Sequence, residues 1–180
     1  MKKKLYIFVL AATMVFSFAG CGKKEKNETV DVKSDVIEFV NEELSAIDEK
    51  RSSAVDVYNS YFTDTNVNLD KFLSDMERVA IPNMEEYMKE LNAIETGTSE
   101  VENLKELYAL GAQFQLDAMN KVVLAIKQEN PDYLTEASEM IKQSESYFGE
   151  YEAQLQLLAV DNEININGSF SGTNASTEAE

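Results

Sequence analysis

Four stretches of this chain carry apolar residues at alternating steps of three and four positions, and only two prolines interrupt 180 residues. That spacing lines one face of a helix, and the lack of breakers lets each helix run long. The first stretch opens near an N-cap at Ser34 and aligns Ile37, Val40, Leu44, Ile47, Arg51, Ala54, Tyr58 and Tyr61. The second follows Asn68 and aligns Leu69, Leu73, Met76, Ala80, Met84, Tyr87, Leu91 and Ile94, with two steps of four where Pro82 predicts a kink. Gly97 closes it. Ser99 and Glu102 form a capping box for the third, whose seam is Val101, Leu104, Tyr108, Gly111, Gln115, Ala118, Val122 and Ala125. The fourth takes Asn130 as N-cap and Pro131 as its first residue, then Leu134, Ala137, Ile141, Ser144, Phe148, Tyr151, Leu155 and Leu158.

Each predicted helix holds about 28 to 30 residues, roughly 42 to 45 Å at 1.5 Å per residue, so four stripes can bury one another along their length. Short connections after Tyr61, Thr96 and Gln128 favour antiparallel neighbours. The expected fold class is therefore all-α: an antiparallel up-down-up-down four-helix bundle over residues 34–160. Laid in register, the polar breaks of the seams coincide. Arg51 lies 14 positions after Ile37, Gln115 lies 14 after Val101, and Ser144 lies 14 before Leu158. One layer, about 21 Å from one end, would then hold Arg51, Gln115 and Ser144 beside the Pro82 kink. A buried guanidinium needs partners, so Arg51 is expected to reach Gln115, Ser144 or carbonyls freed by the kink. The alternative is that Arg51 snorkels outward and the coincidence means nothing.

Residues 1–20 divide as a secretory signal: Lys2, Lys3 and Lys4, then an apolar run from Leu5 to Phe18 too short to span a membrane as a stable helix. Small residues at Ala19 and Gly20 precede Cys21, the single cysteine. The run Phe18-Ala19-Gly20-Cys21 resembles the bacterial lipobox, departing from it at Phe18 where that motif usually has Leu. The resemblance implies cleavage before Cys21 and a diacylglyceryl group on its thiol, leaving the protein lipid-anchored on the extracytoplasmic side. A lone cysteine makes no internal disulfide, which fits a lipid site. Residues 21–33 are polar and lack periodicity, as a flexible stalk would. Residues 161–180 are expected to form a polar, mostly disordered tail, although Ile164 and Ile166 alternate as in a short strand.

Without the signal lysines the net charge falls from -17 to near -20. Nucleic acid and anionic lipid are poor partners for such a surface, while cations and basic proteins are better ones, unless the acidity serves only solubility. Oxygen-bearing residues Asp64, Asn66, Asn68, Asp70 and Asp75 imitate the spacing of a calcium-binding EF-hand loop. Leu69 stands where that loop requires Gly, and capping by Asn68 explains most of the pattern. Calcium is therefore a weak candidate, and no other cofactor beyond the lipid is expected. With no histidine and one lipidated cysteine, histidine triads, thiol nucleophiles and common zinc sites cannot be built. Adjacent acids such as Glu42 and Glu43, or Glu85 and Glu86, point apart on a helix. The chain is not expected to be an enzyme.

The pattern Ile81-Pro82-Asn83-Met84, then Leu107-Tyr108, Ala125-Ile126 and a final helix from Tyr151 to Leu158, behind the Cys21 motif, resembles small helical lipoproteins of Gram-positive bacteria. That resemblance implies a surface-exposed helical domain and assigns no site residues. Two functions compete: a lipid-anchored binding or scaffold module for a protein partner, and an extracytoplasmic sensor or carrier for a cation or small ligand. Tyr133, Met140 and Tyr147, a seven-spaced stripe beside the fourth seam, add a partly exposed surface.

Overall fold

The computed structural model describes residues 30–63 and 67–165. The signal segment, most of the stalk, Asp64, Asn66 and the tail from residue 166 lie outside the described residues. Four helices account for nearly all of the rest, with no strand among the described residues. The first occupies residues 32–63 and the second residues 69–93. The third is Ser99–Lys127 and the fourth Asp132–Asp161.

The first two helices are not regular. Each contains a wider π-helical turn, Glu38–Leu44 in the first and Met76–Ala80 in the second. In the second helix the cause is visible in the sequence. Pro82 lacks an N–H and its ring crowds the carbonyl four residues back. A wider turn just before it, with the Ile81 N–H donating to the Met76 carbonyl, relieves that crowding within a continuous helix. The same turn keeps the four-spaced residues Phe72, Met76, Ala80 and Met84 on one buried face, where a 3.6-residue period would carry them round the helix. The expected seam fails before that turn, since Phe72 is buried while Leu69 is half exposed. In the first helix an eight-residue step from Val36 to Leu44 spans the π turn, and Val36 and Phe39 are buried where Ile37 was expected. One extra residue in a turn shifts the phase of everything before it.

Caps moved by small amounts. Asp31, not Ser34, caps the first helix, its carboxylate accepting from the Ser34 N–H at 3.1 Å. Asn68 caps the second as expected, accepting from Lys71 N–H at 3.0 Å. Thr98, not Ser99, caps the third, and Glu102 instead accepts hydrogen bonds from Thr96 and Lys105. The fourth helix begins one residue later than expected, with Pro131 and not Asn130 at its N-cap, while the Asn130 side chain accepts from the Asp132 N–H at 3.1 Å just ahead of it. The last two helices stop on residues with positive φ, Glu129 and Glu163, followed by bonds from Asn130 N–H to the Ala125 carbonyl and Ile164 N–H to the Ala159 carbonyl. These are Schellman closures, and the second folds Ile164 onto the core. Ile164, expected in the tail, therefore packs against the helices.

All four helices contribute to one apolar core, whose largest fully buried side chains include Tyr87, Tyr151, Phe39 and Phe148. Burying each such side chain contributes about 1.5 to 3 kcal/mol, more than helix propensity supplies. Contacts fix the directions of the helices. Lys50 meets Glu90 at 2.6 Å and Tyr61 stacks on Phe72 at 4.8 Å, so the first and second helices run oppositely. Lys121 meets Glu136 at 2.5 Å and Tyr108 packs on Tyr151 at 4.9 Å, so the third and fourth do too.

Candidate functional site

Arg51 projects from the middle of the first helix and is 3% exposed. Its Nε donates to Gln115 Oε1 at 3.0 Å. Its guanidinium carbon lies 4.8 Å from the centre of the Phe148 ring and 5.9 Å from that of Tyr108, so two π faces stabilise the charge where water is excluded. Asp48, one turn earlier and partly exposed, stands 3.8 Å from Nη1 and adds a weak attraction toward the surface. The core therefore accepts a full charge by surrounding it with an acceptor, two rings and a distant carboxylate.

Ser144 is buried on the fourth helix, but its hydroxyl has no hydrogen-bond partner among the described residues. The structure thus brings Arg51 and Gln115 together and leaves Ser144 in the core without a bond to either. Around them stand tyrosines that the sequence places on the seams without pointing to this layer. The Tyr87 and Tyr151 hydroxyls are buried and also without partners among the described residues. Burial pushes both phenols well above their ordinary range, with Tyr108 adding to the rise in each case and Arg51 opposing it at Tyr87. Neither the Tyr87 nor the Tyr151 phenol ionises near neutral pH.

Gly111 makes the layer fit. A Cβ there would lie 2.9 Å from two ring atoms of Phe148, and Phe148 is fully buried beneath Arg51 and Tyr108. Asp35 is a second buried charged group, which the sequence did not single out. Its carboxylate accepts from the Gly97 N–H at 2.9 Å and from the Thr98 hydroxyl at 2.6 Å, joining the first helix to the start of the third. The lone signal in the sequence was an acid in a first turn, which ordinarily serves its own helix.

The remaining candidates scatter. Asn68 uses its side-chain oxygen as a cap, Asp75 pairs with Lys71 of the same turn, and Asp70 is exposed. Asp64 and Asn66 lie outside the described residues, and no group of three metal-ligating side chains converges among the described ones. Tyr133, Met140 and Tyr147 are partly exposed as expected, with Tyr147 stacked on Phe114 at 5.6 Å and Tyr133 under Lys121 of the third helix. Among the described residues Glu43 is the carboxylate held clearly above its ordinary range, by partial burial first and then by Glu38, Asp35 and Glu42, against the pull of Lys105.

A family model described as EMYY-motif containing lipoprotein matches residues 1–155. The chain belongs to that family. The match takes in the Cys21 segment and every residue of the Arg51 layer, and for an EMYY-motif containing lipoprotein the name itself implies anchoring to a membrane by lipid. No helix among the described residues is long and apolar enough to cross a membrane. No curated protein and no solved structure matches the chain.

Proposed function

We propose that this EMYY-motif containing lipoprotein is anchored through a lipid on Cys21 at the outer face of the cell membrane, where it acts as a binding or scaffold module for a protein partner. In this reading residues 1–20 are a cleaved signal peptide and the four helices form an antiparallel up-down-up-down bundle. The alternating directions of Lys50–Glu90, Lys105–Ile94 and Lys121–Glu136 support that topology. In this reading the protein acts by binding and not by catalysis, a reading supported by the lack of histidine and the burial of Arg51, Gln115 and Ser144.

The observation that carries the reading is a groove of about 630 Å³ between the second and third helices, lined by Met88, Asn92, Lys105, Glu106, Ala109 and Leu110. It sets the apolar side chains of Met88, Ala109 and Leu110 beside polar and charged ones, and protein interfaces pair an apolar centre with a polar rim. Crosslinking on intact cells followed by pull-down should recover a partner, and Leu110→Asp should abolish its capture while leaving the melting temperature unchanged. A sensor or carrier for a cation or small ligand is the runner-up, favoured by the excess of acidic over basic residues. Failure of the pull-down together with a melting temperature raised by calcium or magnesium would replace the first reading with the second.

A further inference from the structure

Leu157 and Val160 are the most exposed large apolar side chains among the described residues, at 65% and 72%. Three positions apart, they share one face of the fourth helix, which ends at Asp161. Leu157 lies within about 6 Å of that end at 1.5 Å per residue. The chain enters the molecule at this same end. Val30 lies against Gly97, Lys33 Nζ donates to the Glu163 carbonyl at 2.9 Å, and Asp35 holds Gly97 and Thr98. Nine positions separate Val30 from Cys21. Fully extended, they span at most about 30 Å.

We propose that Leu157 and Val160 form a bilayer-contact patch, through which the tethered molecule leans onto the membrane by the last turns of its fourth helix. The proposal rests on the reading that Cys21 carries the lipid. Two aliphatic side chains do not hold a free protein on a bilayer. A short tether changes this, because it turns the encounter into an intramolecular one at an effective concentration on the order of millimolar. Side chains at the end of a helix need to enter only the boundary between headgroups and acyl chains. Asp31, Glu95, Asp161 and Glu163 are exposed at this end and repel anionic headgroups. The contact is therefore strongest on zwitterionic lipid and weakens as the anionic fraction rises at low salt.

The chain contains no tryptophan, so Leu157→Trp supplies a single fluorescent reporter. Leu124→Trp serves as a control, since Leu124 is also exposed but sits about 37 Å along the third helix from its start. Each chain is isolated from the membranes of expressing cells and reconstituted into zwitterionic vesicles with brominated acyl chains. Emission from Leu157→Trp is expected to shift to the blue and be quenched, with Leu124→Trp unchanged. Vesicle-bound protein in which neither reporter is quenched overturns the proposal. So does a blue shift that appears without vesicles and grows with protein concentration, which would assign the patch to a second copy. If the Cys21 peptide shows no added lipid mass, the anchoring reading fails separately. Coupling Cys21 to a maleimide lipid then restores the tether, and the same fluorescence decides whether the patch meets the bilayer.

Discussion

A guanidinium removed from water loses hydration that only well-placed partners replace, and at Arg51 those partners are Gln115 and the rings of Phe148 and Tyr108. Removing one partner should therefore cost more than removing the whole arrangement. Gln115→Leu is expected to destabilise by about 3 kcal/mol, because it removes the acceptor of the Arg51 Nε–H inside the core. Arg51→Met together with Gln115→Leu should recover most of that loss, and urea unfolding of the two variants checks the order. Glu43 offers a test in pH. Burial and three neighbouring carboxylates raise its folded value above the ordinary 4.5, so the folded state binds its proton more tightly than the unfolded one. Stability is then lost as pH climbs from 4.5 through the raised value. Glu43→Gln should raise the melting temperature at neutral pH, with the gain vanishing in acid. A pH-independent gain would show that packing, not charge, is responsible.

Within elements, two glycines in helices of similar length have opposite roles. Gly149 has nothing within 4 Å of an added Cβ, so Gly149→Ala should stabilise by about 0.5 to 1 kcal/mol through backbone entropy alone. Gly111→Ala gains the same propensity but drives a methyl group into the Phe148 ring, where overpacking costs about 1 to 3 kcal/mol. The two changes should move the melting temperature in opposite directions, and equal gains would mean that Phe148 is free to yield. The π turns carry the other lesson at this scale. Beside Pro82 the turn follows from chemistry that can be read locally, whereas nothing in the segment Glu38–Leu44 announces one. That turn exists because Val36, Phe39, Val40 and Leu44 must all face the core across an eight-residue step.

For the molecule as a whole, the four helices share one core and the chain joins its N-terminal segment at the end that holds Lys33 and Glu163. Anchoring and folding are therefore separable. Cys21→Ser should shift the protein from the membrane to the soluble fraction while leaving helix content and melting temperature unchanged, as fractionation and circular dichroism would show. Loss of fold on release would make the membrane part of the structure. With residues 1–20 removed, such a released protein would carry a net charge near -20, and like-charged surfaces repel within a Debye length.

Helix number, helix order and most buried faces were determined by the sequence, because a 3.6-residue period is a local property that neighbours reinforce. In the third helix all eight expected seam positions are buried, and in the fourth six are. Arg51, Gln115 and Ser144 could be placed in one layer by counting, for the same reason. Only the tertiary structure decided what that layer is. Gln115 and two rings received the guanidinium while Ser144 did not, a difference set by side-chain reach across helices. The contact of Asp35 with Gly97 and Thr98, and the return of Ile164 to the core, join residues with no local relation in the chain. Such contacts depend on how helices rotate about their axes, and the two π turns changed that rotation where no periodicity could reveal it.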